Sequence, residues 1–347
     1  FIKPEAKEQL LQLKHDFQAE GKKDDPFELK YIIDNFVRNP EIGFVPTDSI
    51  VMTVDKAAVL RSGMKLPHGK DSIPDKMFIS LRGKRILTKS EMMVYEMLAH
   101  HDWTRPLYMS TSHGGDNQAG LDNYLMLEGL AARVTPFKLG DSGVDTERMY
   151  DNFMKKFRYG HIADPKVYVD QTVMRTCYTH RMRFAQLAQQ LIKEGKRDKA
   201  LKALEKCEQV LPQRQVPYEV WSLGIDSKTG LLMMPECYRE LGKTKEAERI
   251  LKAVADRSLA YFDWYNSFSE SRLSSMSGDI MQQYQILGMA IDGLQKCKSR
   301  LAGDYIKRVD QLQRTIAGHV LISAMNARRA AAAAPGNGGE DEGDGDF

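Results

Sequence analysis

The side chains in this 347-residue chain whose types and spacing could do chemistry lie mainly between His100 and Arg133. His100, His101 and Asp102, with His113 and Asp116 downstream, form the densest set of possible metal ligands. A catalytic zinc site needs three such ligands converging on one point with a further position open. Adjacent histidines at a helix end project about 100° apart, so only one of His100 and His101 easily joins His113. No HExxH motif is present. The simpler reading is a pair of histidines interacting favourably with a helix C-terminus, and no metal is expected.

His113-Gly114-Gly115-Asp116-Asn117 follows a predicted strand, where phosphate loops sit, but it matches neither GxGxxG nor the Walker pattern. No cofactor is expected. Its amides and the Asp-Asn pair suit a sugar hydroxyl or phosphate, and a plain connecting turn is the competing reading. GxSxG and SxxK are absent, so no serine nucleophile is assigned. Asp122 and Glu128 could be a carboxylate pair for glycoside cleavage, but solvated acids at a strand edge are the default. No catalytic residue is named.

Arg105, Asp116, Asn117, Tyr124, Glu128 and Arg133 form the candidate ligand-binding set. A strand-turn-helix-strand path would gather them at the C-terminal end of a strand, where open α/β sheets bind ligands. Acid, amide, phenol and guanidinium together suit a hydroxylated sugar or an acceptor loop; an internal Arg-carboxylate pair bracing the turn is the structural alternative. Farther on, Tyr261, Phe262, Trp264, Tyr265 and Phe268 offer either a sugar-stacking or protein-binding surface or the core of a helical unit.

Residues 1–30 carry a helical pattern (Leu10, Leu11, Leu13, Phe17) ended by Gly21, and serve as an N-terminal helix and linker. Residues 31–142 read as a small α/β module, with β-prone runs at 50–54, 77–81, 107–111 and 130–135. Between them 88–100 reads as a helix, capped by Thr88 or Ser90, with Met93, Met97 and Leu98 on one face. Residues 143–329 read as helical hairpins of tetratricopeptide type. Phe184, Leu187, Ala188 and Leu191 share one helix face, and Gly195, Ala200, Leu204 and Cys207 recur in spacing as Gly242, Ala247, Leu251 and Val254, 47 residues on. Ala fits where a larger side chain would force crossing helices apart. Residues 213–230 are an insertion, and a third pair is expected over 280–296 and 302–327. A generic helical hairpin with chance Gly and Ala is the bland alternative. Residues 330–347, Ala-rich and then Gly- and acid-rich, are expected to be a disordered acidic tail. The fold class expected is therefore α+β: a small α/β module followed by tetratricopeptide-like α-helical hairpins.

Five acids in the last eight residues offset a basic excess; without them the net charge of +3 becomes +8. The cations are interspersed with acids, so no nucleic-acid partner is expected. No stretch reaches the roughly 18 apolar residues of a membrane span. Cys177, Cys207, Cys237 and Cys297 are too few and too scattered for a disulfide scaffold, and Cys207 should be buried and reduced. The chain starts at Phe1 with no signal-like segment and is expected to begin inside a longer or processed polypeptide.

Trp103-Thr104-Arg105-Pro106-Leu107-Tyr108, then Gly115-Asp116-Asn117, Gly120-Leu121, Tyr124, Leu127-Glu128-Gly129-Leu130-Ala131 and Arg133-Val134 form several ungapped blocks in order. They resemble the signature of a Bacteroidetes polytopic membrane-protein family related to protein O-mannosyltransferase, in the GT-C-like glycosyltransferase superfamily. Asp145-Thr146, Met149-Tyr150, Asn152-Phe153, Phe157, Tyr159-Gly160 and Asp170 look like its next block, and the resemblance spans roughly residues 45–290. It implies a soluble C-terminal region on the periplasmic side of the inner membrane. That region would be noncatalytic and would bind a protein acceptor beside the membrane domain of its parent chain. The multispanning part with its catalytic acid lies outside this sequence, so no catalytic residue is carried over. The alternative is a helical-repeat scaffold or adaptor that meets an envelope protein partner and does no sugar chemistry.

Overall fold

The computed structural model describes residues 1–22, 24–67, 69–110, 119–140, 143–218 and 232–333. The acidic tail beyond residue 333 and most of the expected insertion lie outside the described residues. The fold is α+β, in two compact units, Phe1–Phe157 and Arg158–Phe347.

The first unit opens with α1 (Lys7–Ala19), which Gly21 follows at φ +69, and α2 (Leu29–Ile32), which runs on through a π-helical turn. Leu10 is fully buried, while Leu11 faces solvent. Strand β1 (Ser49–Thr53) pairs antiparallel with β2 (Lys76–Ser80), Ser49 opposite Ser80 and Thr53 opposite Lys76; α3 (Lys56–Arg61) lies between them in sequence. Helix α4 (Lys89–Ala99) starts at Thr88 with a full capping box, in which the Thr88 hydroxyl accepts from the Glu91 amide and the Glu91 carboxylate accepts from the Thr88 amide. Lys84 pairs with that carboxylate. The buried face of α4 is Glu91, Tyr95 and Leu98, whereas Met93 and Met97 are 68% and 51% exposed. The two methionines do share a face, but it is the solvent face. A Met is too weak a marker to fix which side of an 11-residue helix meets the core.

Strands β3 (Tyr108–Ser110), β4 (Leu125–Leu127) and β5 (Ala131–Val134) form a second antiparallel sheet in the order β3-β5-β4. β4 is absent from the sequence expectation: its pairing with β5 and with Gly143 to Asp145 is made by segments that meet only after folding. The antiparallel order also removes the expected ligand crevice of an open α/β sheet, which requires parallel strands. The segment after Gly120 is a 3-10 turn, Asp122–Tyr124, rather than a longer helix. It is fastened to the first sheet's side of the unit: the Tyr95 hydroxyl donates to the Ala119 carbonyl at 2.7 Å, and the Tyr124 hydroxyl donates to the Phe78 carbonyl at 2.7 Å. Gly120 has φ +72, and a Cβ there would meet the Ser80 carbonyl oxygen at 2.9 Å. Helix α5 (Thr146–Asp151), capped by the Asp145 side chain, ends the unit in a π-helical turn that buries Phe153.

The second unit is helical: α6 (Gln171–Lys193), α7 (Arg197–Val210), α8 (Met233–Glu240), α9 (Thr244–Tyr265), α10 (Glu270–Ser275), α11 (Ser277–Lys296), α12 (Leu301–Leu312) and α13 (Ile316–Ala333). The α6-α7 and α8-α9 hairpins turn in the same way. Gly195 and Gly242 take φ +74 and +77, and the amides that follow, of Lys196 and Lys243, donate back to Leu191 and Tyr238. These are Schellman closures, and glycine supplies the left-handed residue that they require. Phe184, Leu187, Ala188 and Leu191 are fully buried, as are Ala200, Leu204, Cys207 and Ala247. Burial pushes the Cys207 thiol up to about 12, so it stays protonated and unreactive at neutral pH. All four cysteines are free thiols.

The expected third pair is a helix followed by two, because the helical run is interrupted between Leu312 and Ile316. The Thr315 hydroxyl accepts from the Gly318 amide and caps α13. Asn266 holds the same end through the Ala317 amide at 3.1 Å. Among the described residues no helix is long and apolar enough to cross a membrane.

Two substitutions test this packing. Ala200→Leu adds volume at a filled helix crossing and is expected to cost about 1 to 3 kcal/mol in urea denaturation. Gly120→Ala combines an unfavourable backbone angle with a collision against backbone, and a comparable loss is expected in the same assay.

Candidate functional site

Two of the six candidate ligand residues, Glu128 and Arg133, meet at the β4-β5 hairpin. The Glu128 amide donates to the Ala131 carbonyl at 3.1 Å, closing a tight loop through Gly129 (φ +151) and Leu130. A Cβ on Gly129 would meet the Phe157 ring at 3.2 Å, so the ring would have to give way, and the positive φ adds strain to any side chain there. In the register of the sheet Arg133 lies opposite both Tyr108 on β3 and Met126 on β4. Residues directly opposite share a face, and Glu128 is two residues beyond Met126, so Tyr108, Glu128 and Arg133 all project to the same side.

The outer edge of β4 brings in the fourth partner. The Leu127 amide donates to the Gly143 carbonyl and the Asp145 amide to the Leu127 carbonyl, at 2.8 and 2.9 Å. This sets the start of α5 beside the hairpin, so that Arg148 reaches Glu128. The Glu128 carboxylate is 4% exposed. Its Oε2 accepts from the Tyr108 hydroxyl at 2.5 Å and from Arg148 Nη1 at 3.0 Å. Its Oε1 is 3.8 Å from Arg133 Nη1, an ion pair without a hydrogen bond. Arg133 Nη2 donates to the Ser62 carbonyl at 3.3 Å and Arg148 Nη2 to the Gly63 carbonyl at 2.9 Å, which ties the end of α3 to the cluster. Asn152 donates to the backbone carbonyl of Glu128 at 2.8 Å. Asp145, 3.9 Å from Arg148 Nε, supplies a second negative charge. Two guanidiniums thus meet two carboxylates.

Burial, then the hydrogen bond to and charge of Glu128, raises the Tyr108 phenol above its ordinary range. It remains a donor at neutral pH, which its contact with the carboxylate requires. A carboxylate held in this way, with little exposure, is built to tie four chain segments together. Its accessible rim is Tyr108, 41% exposed, together with part of Arg148.

The remaining members of the set are placed differently. Tyr124 is buried, with its hydroxyl on the Phe78 carbonyl. Arg105 is exposed. Asp116 and Asn117 lie outside the described residues, as does His113. Asp122 is exposed, while Glu128 is not the solvated strand-edge acid of the default reading. His100 places Nδ1 at 3.0 Å from the Glu96 carbonyl oxygen. His101 packs edge-on against Trp103 at 4.7 Å, and burial lowers its pKa. Among the described residues no group of three or more His, Cys, Asp or Glu could hold a metal ion. Arg148 and Ser62 were missing from the sequence-derived set. Glu128 and Arg148 are 20 residues apart and meet only through the pairing along β4, which leaves no local spacing to read.

Residues 2–152 match the family model described as TMEM260-associated domain 2. The matched stretch lies within the first compact unit, so it coincides with a folded body that contains the whole Glu128 cluster. No curated protein and no solved structure matches the chain.

Removing one member of a buried charge cluster strands the others. Glu128→Ala is expected to cost about 3 to 5 kcal/mol, with Glu128→Gln less damaging because the amide can still accept from Tyr108 and Arg148. Urea denaturation followed by circular dichroism checks the order.

Proposed function

We propose that this chain is the extracytoplasmic accessory region of a membrane GT-C-like protein glycosyltransferase and is itself noncatalytic. The observation that carries the reading is the match of residues 2–152 to a domain named for its association with TMEM260. The motif blocks that resemble the Bacteroidetes family related to protein O-mannosyltransferase support it. In this reading the α+β unit serves the membrane domain of the parent chain on the periplasmic side of the inner membrane. The tetratricopeptide-like hairpins hold a protein acceptor. Repeated helical hairpins present extended surfaces to other proteins and have no need of catalytic groups.

Within the α+β unit the roles divide. Glu128, Arg133 and Tyr124 hold the scaffold, and Arg105, Asp116 and Asn117 make the contact with acceptor or donor. Transfer measured in membranes containing the parent enzyme tests this assignment. Arg105→Ala combined with Asp116→Ala and Asn117→Ala is expected to lower glycan transfer at least tenfold while moving the melting temperature by no more than about 2 °C, well under 1 kcal/mol for a unit of this size. Unchanged transfer would favour a scaffold or adaptor of an envelope complex instead.

A further inference from the structure

Helix α4 is held firmly in the α+β unit and carries apolar side chains on its outer face. Its start is fixed by the Thr88 capping box, and its inner face by the burial of Glu91, Tyr95 and Leu98, with the Tyr95 hydroxyl on the Ala119 carbonyl. Leu87, Met92, Val94 and Ala99 pack against the core beneath. On the opposite face Lys89, Met93 and Met97 follow one another at four-residue intervals, which makes one stripe along the helix. Met93 is 68% exposed, Met97 51%, and Ile86, just before the cap, 58%. The stripe cannot turn inward, because the side of the helix that meets the core is already filled. The aromatic group at the end of α9 offers no such stripe: Phe262 and Tyr265 are core residues, and of the five only Trp264 is exposed.

The free charges beside the stripe are of one sign. Residues 82–89 carry four cations, Arg82, Lys84, Arg85 and Lys89, and no acid. Lys84 is taken up by Glu91, and Arg82 lies 3.5 Å from Asp48. Arg85 and Lys89 are exposed and make no ion pair among the described residues. The Arg85 carbonyl accepts from the Ile2 amide at 2.9 Å, which fixes the turn leading into the helix. Lys89 stands in the first turn of α4, where the helix dipole disfavours a cation, so the fold gains nothing from its charge. The acids of the helix do not offset these cations: Glu91 is buried, and Glu96 is bound by Arg38 and lies 3.5 Å from His100. The outer face of α4 is therefore an apolar ridge with unpaired cations at one end.

We propose that the outer face of α4, from Arg85 to Met97, docks on the surface of an anionic phospholipid bilayer. Arg85 and Lys89 meet the lipid phosphates, and Ile86, Met93 and Met97 rest at the boundary between head groups and acyl chains. At 11 residues α4 is far too short to span a bilayer, so it lies along the surface. Methionine, unbranched and flexible, adapts to acyl chains that have no fixed shape. A protein partner would need a groove cut to the ridge and acids placed at Arg85 and Lys89. An anionic bilayer supplies both requirements, a yielding apolar layer under a plane of phosphates. Basic and apolar contacts are each weak alone and hold together in combination. The proposal rests on the reading of the α+β unit as the part that serves the membrane domain.

The test uses the full chain in cosedimentation with two kinds of vesicle, phosphatidylglycerol mixed with phosphatidylcholine, and phosphatidylcholine alone. Binding to the anionic vesicles is expected to be at least tenfold tighter than to the neutral ones, and to weaken at least tenfold between about 50 and 500 mM NaCl as the charges are screened. Met93→Ser with Met97→Ser, and separately Arg85→Gln with Lys89→Gln, should each weaken binding at least fivefold with unchanged melting curves. Equal binding to the two vesicles, no binding to either, or binding that survives either pair of substitutions would overturn the proposal. So would a dimer in sedimentation velocity that the methionine substitutions dissolve, because a second copy would then cover the ridge. Vesicle binding needs neither sugar donor nor acceptor, and the triple substitution at Arg105, Asp116 and Asn117 leaves these four side chains in place, so failure of either reading is seen on its own.

Discussion

Burying a carboxylate costs several kcal/mol unless opposite charge and hydrogen bonds surround it, and one end of the α+β unit is arranged around meeting that demand for Glu128. Tyr108 comes from β3, Arg133 from β5 and Arg148 from α5, while the end of α3 accepts the outward N–H groups of both guanidiniums. Each segment is held in place by a different backbone device. The hairpin loop needs Gly129, the edge of β4 takes up Gly143 to Asp145, and Asp145 both caps α5 and balances charge. Displacing any one of these segments would leave Glu128, Arg133 or Arg148 short of a hydrogen-bond or charge partner.

The same arrangement explains why Tyr124, Glu128 and Arg133, which looked like part of a binding set, are internal. Acid, phenol and guanidinium are the groups that recognise sugars and peptides, and they are equally the groups that let a small, two-sheet unit fix its chain path. Close spacing in sequence could not separate the two uses, because what distinguishes them is burial. Tyr124 shows this most plainly: its ring is buried and its hydroxyl is satisfied by a backbone carbonyl of β2. Arg105, in contrast, remains at the surface.

What could be read ahead of the structure follows from the range of the interactions involved. The helix cap, left between Thr88 and Ser90 and found at Thr88, the Gly195 and Gly242 turns and the apolar stripe of Phe184 to Leu191 are local, set within one or two turns of chain, and appear where their spacing implies. Non-local features did not show. The antiparallel order β3-β5-β4, the three-residue strand β4, the solvent-facing Met93 and Met97 and the partnership of Arg148 with Glu128 depend on segments that meet only after folding. The break before α13 was marked by Thr315, a good capping residue within an otherwise continuous helical pattern.

The helical unit follows a different logic, in which glycine turns set the hairpins and a single buried arginine, Arg181, holds the segment after α7 through the carbonyls of Leu211, Val216 and Pro217. Charge thus has a structural role in both units. The claim at the centre of this account is that Glu128 and Arg148 act as a coupled brace. A double-mutant cycle on the full chain, with Glu128→Gln, Arg148→Met and the pair compared by urea denaturation, measures it directly. Coupling of about 1 to 3 kcal/mol is expected, and losses that add to within about 0.5 kcal/mol would contradict it.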